Sequence, residues 1–237
     1  MSSQVAVVVF PGSNCEHDVA YALGELGAAP KLIWHTSKSL GHADAVVLPG
    51  GFAHGDYLRP GALARFSPVM DVVREFAASG GPVLGICNGF QILCEAGLLP
   101  GTLQKNRNLR FICAPAGVRV DSNRSVLTSG IDEGTSLVLP INHFDGSYIC
   151  DARTASELSE TGSVVLRYIE NPNGSIDDIA GISNLQGNVV GLMPHPERAC
   201  DPLLGSLDGA ALLRAFLAAT PIKDETDHES QAEKIRS

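Results

Sequence analysis

The sequence predicts an open, largely parallel α/β sheet with helices on both faces and a β-rich insertion before the last strand and helix. Three observations carry that expectation. Up to Leu98, short runs of β-branched and apolar residues alternate with segments of helical period, the pattern of crossover helices covering a sheet buried on both faces. Past Leu98 the texture changes to closely spaced β-rich segments. The 237 residues, 44% hydrophobic, suit one domain able to bury its own core without metal or disulfide staples.

The elements follow in order. Val5–Phe10 is a continuous apolar run ended by Pro11-Gly12, as expected of a doubly buried strand. Val19, Leu23 and Leu26 then recur at helical spacing, with Gly27 where a C-cap belongs. Leu32–Trp34 and Ala43–Leu48 are the next strands, the second closed by Pro49-Gly50-Gly51. A second helix is expected from about Pro60, with Leu63, Phe66, Met70, Val73 and Phe76 on one stripe. Val83–Ile86 is a strand and Phe90–Ala96 the helix behind it. The insertion supplies Leu109–Cys113, Gly117–Val120, Leu137–Ile141, Val164–Ile169 and Ile179–Asn184. Gly187-Asn188 turns the chain into Val189–Met193, and a helix from about Leu207 to Ala218 closes the fold. The domain is expected to span 1–220. Residues 221–237 carry five acidic and three basic side chains and little apolar surface, so they are expected to form a charged, disordered tail.

Composition removes several function classes. The net charge is -9, with 17 Lys+Arg against 26 Asp+Glu and no basic cluster, which argues against nucleic acid as a partner. No apolar run approaches the ~20 residues that span a bilayer, and the start lacks the signal-peptide pattern. A cytoplasmic protein without membrane contact is expected. The six cysteines form no C-x-x-C pair and are expected to be free thiols in a reducing compartment. Metal-ligand spacings and a P-loop are missing from the sequence, so neither a bound metal nor nucleotide chemistry is expected of this chain.

Gly85-Ile86-Cys87-Asn88-Gly89 has the G-x-C-x-G form at a strand-to-helix junction, the layout of a nucleophile elbow with sulfur as nucleophile. A turn that tight leaves no room for side chains on either flank, and the helix N-terminus favours a thiolate. Taken alone, the motif also fits a buried structural cysteine between glycines. Met193-Pro194-His195-Pro196-Glu197 separates the readings. Residues i and i+2 of an extended segment share a side, so Glu197 can orient one nitrogen of His195 while the other faces outward. With Cys87 these make a Cys-His-Glu triad. Pro49-Gly50-Gly51-Phe52 ends the third strand, where open α/β sheets bind ligands. The backbone N–H groups of Gly51 and Asn88 are the expected oxyanion hole, each contributing ~3 kcal/mol to the transition state. Gly50, Gly51 and Gly55 are expected to make this loop mobile.

Gly85 to Gln91 together with His195-Pro196-Glu197 resembles the class I glutamine amidotransferases. Gly50 to Arg59, Asn106-Arg107-Asn108, Pro140 to Gly146 and Gly191 to Arg198 narrow the resemblance to the glutaminase subunits of phosphoribosylformylglycinamidine synthases. The sequence departs from that pattern at Ala53-His54, where Ser-Tyr is typical, and at Pro60; neither touches the triad. The resemblance implies hydrolysis of glutamine through a Cys87 thioester, with Gln91 recognising the substrate. It implies delivery of ammonia to a separate large synthetase subunit, with ATP and Mg bound there and a small third subunit alongside. The acceptor would be formylglycinamide ribonucleotide, in purine biosynthesis. Asp56, Arg59, Arg107, Asn142 and His143 are distinctive of the subfamily, and either substrate contact or partner docking would account for them.

Two rival readings fit these residues less well. An α/β-hydrolase orders its triad nucleophile, acid, His, whereas the tight pair here has the acid after the His. A redox-sensing stress protein with an elbow cysteine would need neither His-Pro-Glu nor Gln91.

Overall fold

Nine strands join one sheet in the computed structural model, which describes residues 2–220; the tail expected at 221–237 lies outside the described residues. The chain runs through β1 (Gln4–Val9), α1 (Glu16–Glu25), β2 (Ala29–Trp34), β3 (Ala45–Leu48), α2 (Pro68–Ala78), β4 (Val83–Ile86) and α3 (Asn88–Glu95). It continues through β5 (Thr102–Gln104), β6 (Ile112–Val120), β7 (Ser136–His143), β8 (Ser147–Ile149) and α4 (Ala152–Glu160). β9 (Val164–Tyr168), β10 (Ile179–Ser183), β11 (Val189–Leu192) and α5 (Asp208–Ala218) complete it.

The strand order is β2-β1-β3-β4-β11-β10-β9-β6-β7. Pairings from β2 to β11 are parallel and those from β11 to β7 antiparallel. The insertion therefore extends the same sheet. β3, β4 and β11 are buried at every residue, as their uninterrupted apolar sequences require when both faces are covered. The step from β1 to β2 and the step from β3 to β4 run in opposite directions, so right-handed crossovers put α1 and α2 on opposite faces. The order reverses at β1, which opens a crevice beyond the C-terminal ends of β1, β3 and their neighbours.

Three local expectations are corrected. The second helix begins at Pro68, after Ser67 in the N-cap position, and not near Pro60. Gly61 has φ +79° and lies so close to α3 that a Cβ there would be 2.8 Å from the Ile92 nitrogen. The chain must lie flat on α3, and Phe66 ends up 72% exposed. Leu109–Cys113 and Gly117–Val120 are not separate strands: Ile112–Val120 is continuous, while Leu109 sits exposed at φ +54°. Pro115 faces Pro140 across β6 and β7; with no N–H on either, the two fit a non-hydrogen-bonded pair. Helix α4 lies in a stretch where no element was expected. Only Ala155 and Leu158 of it are buried, too few for a readable stripe, and the available signal was its N-cap, Asp151 accepting from the Thr154 N–H at 2.8 Å.

Candidate active site

Cys87 links β4 to α3 with φ 51° and ψ −104°, a strained conformation held by the packing around it. The flanking glycines are required by that packing. A Cβ at Gly85 would lie 2.6 Å from Leu93 Cδ1, and one at Gly89 would overlap the Leu48 carbonyl oxygen. Gly89→Ala is accordingly expected to cost about 1–3 kcal/mol by overpacking. Thermal denaturation against the parent chain checks this; an unchanged Tm would show that β3 yields without cost. The Cys87 N–H donates to the Leu192 carbonyl at 2.8 Å, and its thiol points to the Asn142 carbonyl at 3.7 Å.

His195 is brought to the Cys87 side of the cleft because β4 and β11 are parallel neighbours in register, Gly85 beside Gly191 and Ile86 beside Leu192. Its N–H donates to the Pro140 carbonyl on β7 at 2.8 Å. His195 Nδ1 and Glu197 Oε1 are 2.6 Å apart, with both side chains almost wholly buried. The pair meets by a different geometry from the extended one expected: Pro196–Arg198 is a short 3-10 turn that folds the carboxylate back onto the ring. Burial works against a charged ring here, but the Glu197 carboxylate and the Cys87 sulfur outweigh it and hold His195 well above the usual imidazole range. Nε2 of His195 and Oε2 of Glu197 are buried without a partner among the described residues. The arrangement can therefore take a proton from the thiol and hold it.

The two backbone N–H groups expected to form the oxyanion hole stand at the start of α3 and in the loop after β3. Asn88 occupies the first position of α3, where a helical N–H has no intrahelical acceptor. Gly51 pairs with Ser13 in an isolated bridge whose hydrogen bonds run from neighbouring residues, including Phe52 N–H to the Gly12 carbonyl at 2.9 Å. The Gly51 N–H takes no part in that bridge. Close approach is a second requirement for glycine at Gly50 and Gly51. A Cβ at Gly50 would be 2.8 Å from His195 Cε1, and Gly51, at φ +145°, lies against Asn14.

An open cleft joins these parts, lined by Asn14, Cys15, Gly51, Phe52 and Asp56, by Cys87, Gln91 and His195, and by residues 142–145. Of the candidate contacts, Asp56, Asn142 and His143 face it. Arg59 does not; its guanidinium grips Glu95 with two bonds of 2.6 and 2.7 Å, tying the loop to the end of α3. Arg107 lies outside the lining, packed beside Gly174. Gln91 lines the cleft with its amide already engaged, accepting from Asn88 at 2.7 Å and donating to the Asp145 carbonyl at 2.6 Å. Asn106, wholly buried, donates to the Arg110 and His143 carbonyls and so must accept from His143 Nδ1 at 3.0 Å. Burial, then the neighbouring His195, push His143 down to about 4, leaving a neutral ring. His54 packs instead against His35 and Phe10.

Cys15 is the residue sequence reasoning missed. Its sulfur accepts from Arg198 Nη2 and donates to Asn14 Oδ1, both at 3.2 Å. Position was the available signal, since Pro11 to Cys15 follows β1 as Gly50-Gly51 follows β3. Cys15, His195 and Glu197 bring ligand atoms within 4.8 Å of one another, the one such group among the described residues. The Arg198 guanidinium against Cys15 already places positive charge there. Cys94 behaves as packing, its thiol pushed up by burial, and Cys200 is pushed up to about 11 by burial and by Glu197.

A profile of the CobB/CobQ-like glutamine amidotransferase domain matches residues 2–209. The chain is 55% identical over 219 residues to phosphoribosylformylglycinamidine synthase subunit PurQ of Rubrobacter xylanophilus, covering 92% of this chain and all of the relative. It is 49% identical to the same-named subunit of Koribacter versatilis, covering 90% and 96%. Among solved structures, PurLQS from Thermotoga maritima superposes with a TM-score of 0.85 at 40% identity, over 92% of this chain and 99% of that one. A Thermotoga maritima glutamine amidotransferase matches with TM-score 0.56 at 18% identity, covering all of this chain and 86% of that one, a likeness of fold.

Proposed function

Because the chain belongs to the CobB/CobQ-like glutamine amidotransferase domain family, we infer that it hydrolyses glutamine as the ammonia-producing subunit of phosphoribosylformylglycinamidine synthase. The observation that carries the chemistry is the His195–Glu197 pair, buried at 2.6 Å, beside a cysteine in elbow conformation. The near-full-length likeness to PurQ subunits carries the biological assignment.

The residues divide the work in balanced steps. His195 Nε2 takes the Cys87 proton, and the thiolate attacks the carboxamide carbon of glutamine. The C=O electrons move to oxygen, where the Gly51 and Asn88 N–H groups hold the negative charge. The intermediate collapses, the C–N bond breaks, and His195 returns its proton to the departing nitrogen, releasing ammonia. Water, deprotonated by His195, then attacks the thioester; glutamate leaves and the thiol is restored. Glu197 keeps the ring in one tautomer and stabilises its charged form.

The partners are a large synthetase subunit, which would bind ATP and Mg, and a small third subunit, the composition the name PurLQS suggests. Among the described residues no helix is long and apolar enough to cross a membrane, in keeping with a cytoplasmic complex. The loop after β3 is suited to partner control. His54, Gly55, Asp56 and Leu58 all have positive φ, and Tyr57 and Leu58 are 74% and 86% exposed. A strained loop beside the oxyanion donor Gly51 can exist in two arrangements, and a synthetase that binds the competent one raises turnover tenfold for each ~1.4 kcal/mol of differential binding. Glutamate release is expected to rise at least tenfold when the synthetase, loaded with acceptor and nucleotide, is added to the subunit. Equal rates would remove the loop as a control element. The test of the function itself is ATP- and glutamine-dependent synthesis of formylglycinamidine ribonucleotide by the reconstituted subunits; its absence would overturn the assignment.

A further inference from the structure

Charge is unevenly distributed in the cleft. Its lining holds two carboxylates, Asp56 and Asp145, and no Lys or Arg. Asp145 has partial compensation from Lys105, whose ammonium lies over the neighbouring Phe144 ring. Asp56 has none. One of its oxygens takes a long 3.3 Å bond from Asn88 Nδ2, and the other takes no hydrogen bond among the described residues. Burial and the nearby Asp145 push the Asp56 carboxyl up to about 6, as befits a charge that lacks a counter-ion.

Asp56 is also tied to the helix end that follows the nucleophile. Asn88, its hydrogen-bond partner, follows Cys87 directly, and Asn88 Nδ2 also bonds Gln91 one turn along α3. Asn88 Oδ1 accepts from the Ala53 N–H at 2.9 Å, which anchors the loop carrying Asp56. A glutamine whose carboxamide carbon is at Cys87 Sγ extends roughly 5 Å to its α-nitrogen at ordinary bond lengths. The substrate thus brings an ammonium group into a cleft whose uncompensated charge is a carboxylate near the same helix end. We propose that Asp56 receives the α-ammonium group of glutamine and sets the preference for an α-amino acid over the same amide lacking its amino group. This rests on glutamine being the substrate.

The test uses glutaramate, which is glutamine without the α-amino group, as a competitive inhibitor of glutamate release by the reconstituted complex. Its Ki is measurable whether or not it is turned over. Asp56→Asn keeps an acceptor for Asn88 and removes the charge. The variant is expected to raise the KM for glutamine 10- to 100-fold while leaving the glutaramate Ki within twofold of the parent. If both constants rise together, Asp56 acts by holding the loop; if neither moves, it makes no substrate contact. Either result overturns the proposal. A parent complex that releases no glutamate at all would instead refute the glutaminase assignment. Unchanged alkylation of Cys87 by iodoacetamide in the variant serves as the check that the site is intact.

Discussion

Replacing Cys87 with Ala is expected to abolish glutamine-dependent synthesis by the assembled complex while leaving synthesis from added ammonium salt intact. The thioester needs the sulfur as its acyl carrier, and no other group of the cleft stands in the elbow conformation. Cys15 lines the same cleft, but its sulfur is already engaged by Arg198 and Asn14 and is not carried on the strained turn that places Cys87 beside Asn88. The loss should reach the background of the assay, on the order of 10⁴-fold or more, as for removal of a triad nucleophile in general. Ammonia-dependent synthesis is the internal control, because it uses the partner's site alone. Glutamine use by Cys87→Ala at more than a trace would sink the triad.

Glu197→Gln is expected to cost on the order of 10³- to 10⁴-fold in kcat. The carboxylate contacts Nδ1 at 2.6 Å with both side chains almost wholly buried, so its charge is little screened; with the Cys87 sulfur it outweighs the burial that would otherwise keep His195 neutral. An amide of the same shape loses that charge and can present its NH₂ to Nδ1, favouring the wrong tautomer. His195→Ala, which removes the base itself, should cost at least as much. The sign of the pH effect follows. With Glu197 present, His195 holds its proton to high pH; without the charge, burial dominates and the ring's pKa falls. The acid limb of the residual activity should therefore move to lower pH in Glu197→Gln relative to the parent. Wild-type turnover in the variant would show that Glu197 is not the third member.

Much of the fold was legible because its parallel half is written in contiguous segments. Val5–Val9, Ala45–Leu48 and Val83–Ile86 are strands buried on both faces, which local sequence marks with unbroken apolar runs. Helix α4 and strands β5 and β8 were not legible, since each buries too few residues to set a period. Pro60–Phe66 misled for the opposite reason: its apolar residues have a helical period, yet Gly61 must press against α3, a demand made by a distant segment.

The site divides along the same line. Cys87, His195 and Glu197 belong to short motifs whose chemistry needs those residue types at those spacings, so the sequence alone singled out the nucleophile, base and orienting acid that we propose, and the class of reaction. The sheet register of β4 beside β11 decided that His195 and Cys87 line the same cleft. Packing decided that Gly50 and Gly51 are glycines for close approach, that Arg59 clamps Glu95, that Arg107 stands aside, and that Cys15 and Asp56 share the cleft. Those outcomes depend on contacts between residues far apart in the chain, and spacing along a sequence does not encode distance across a fold.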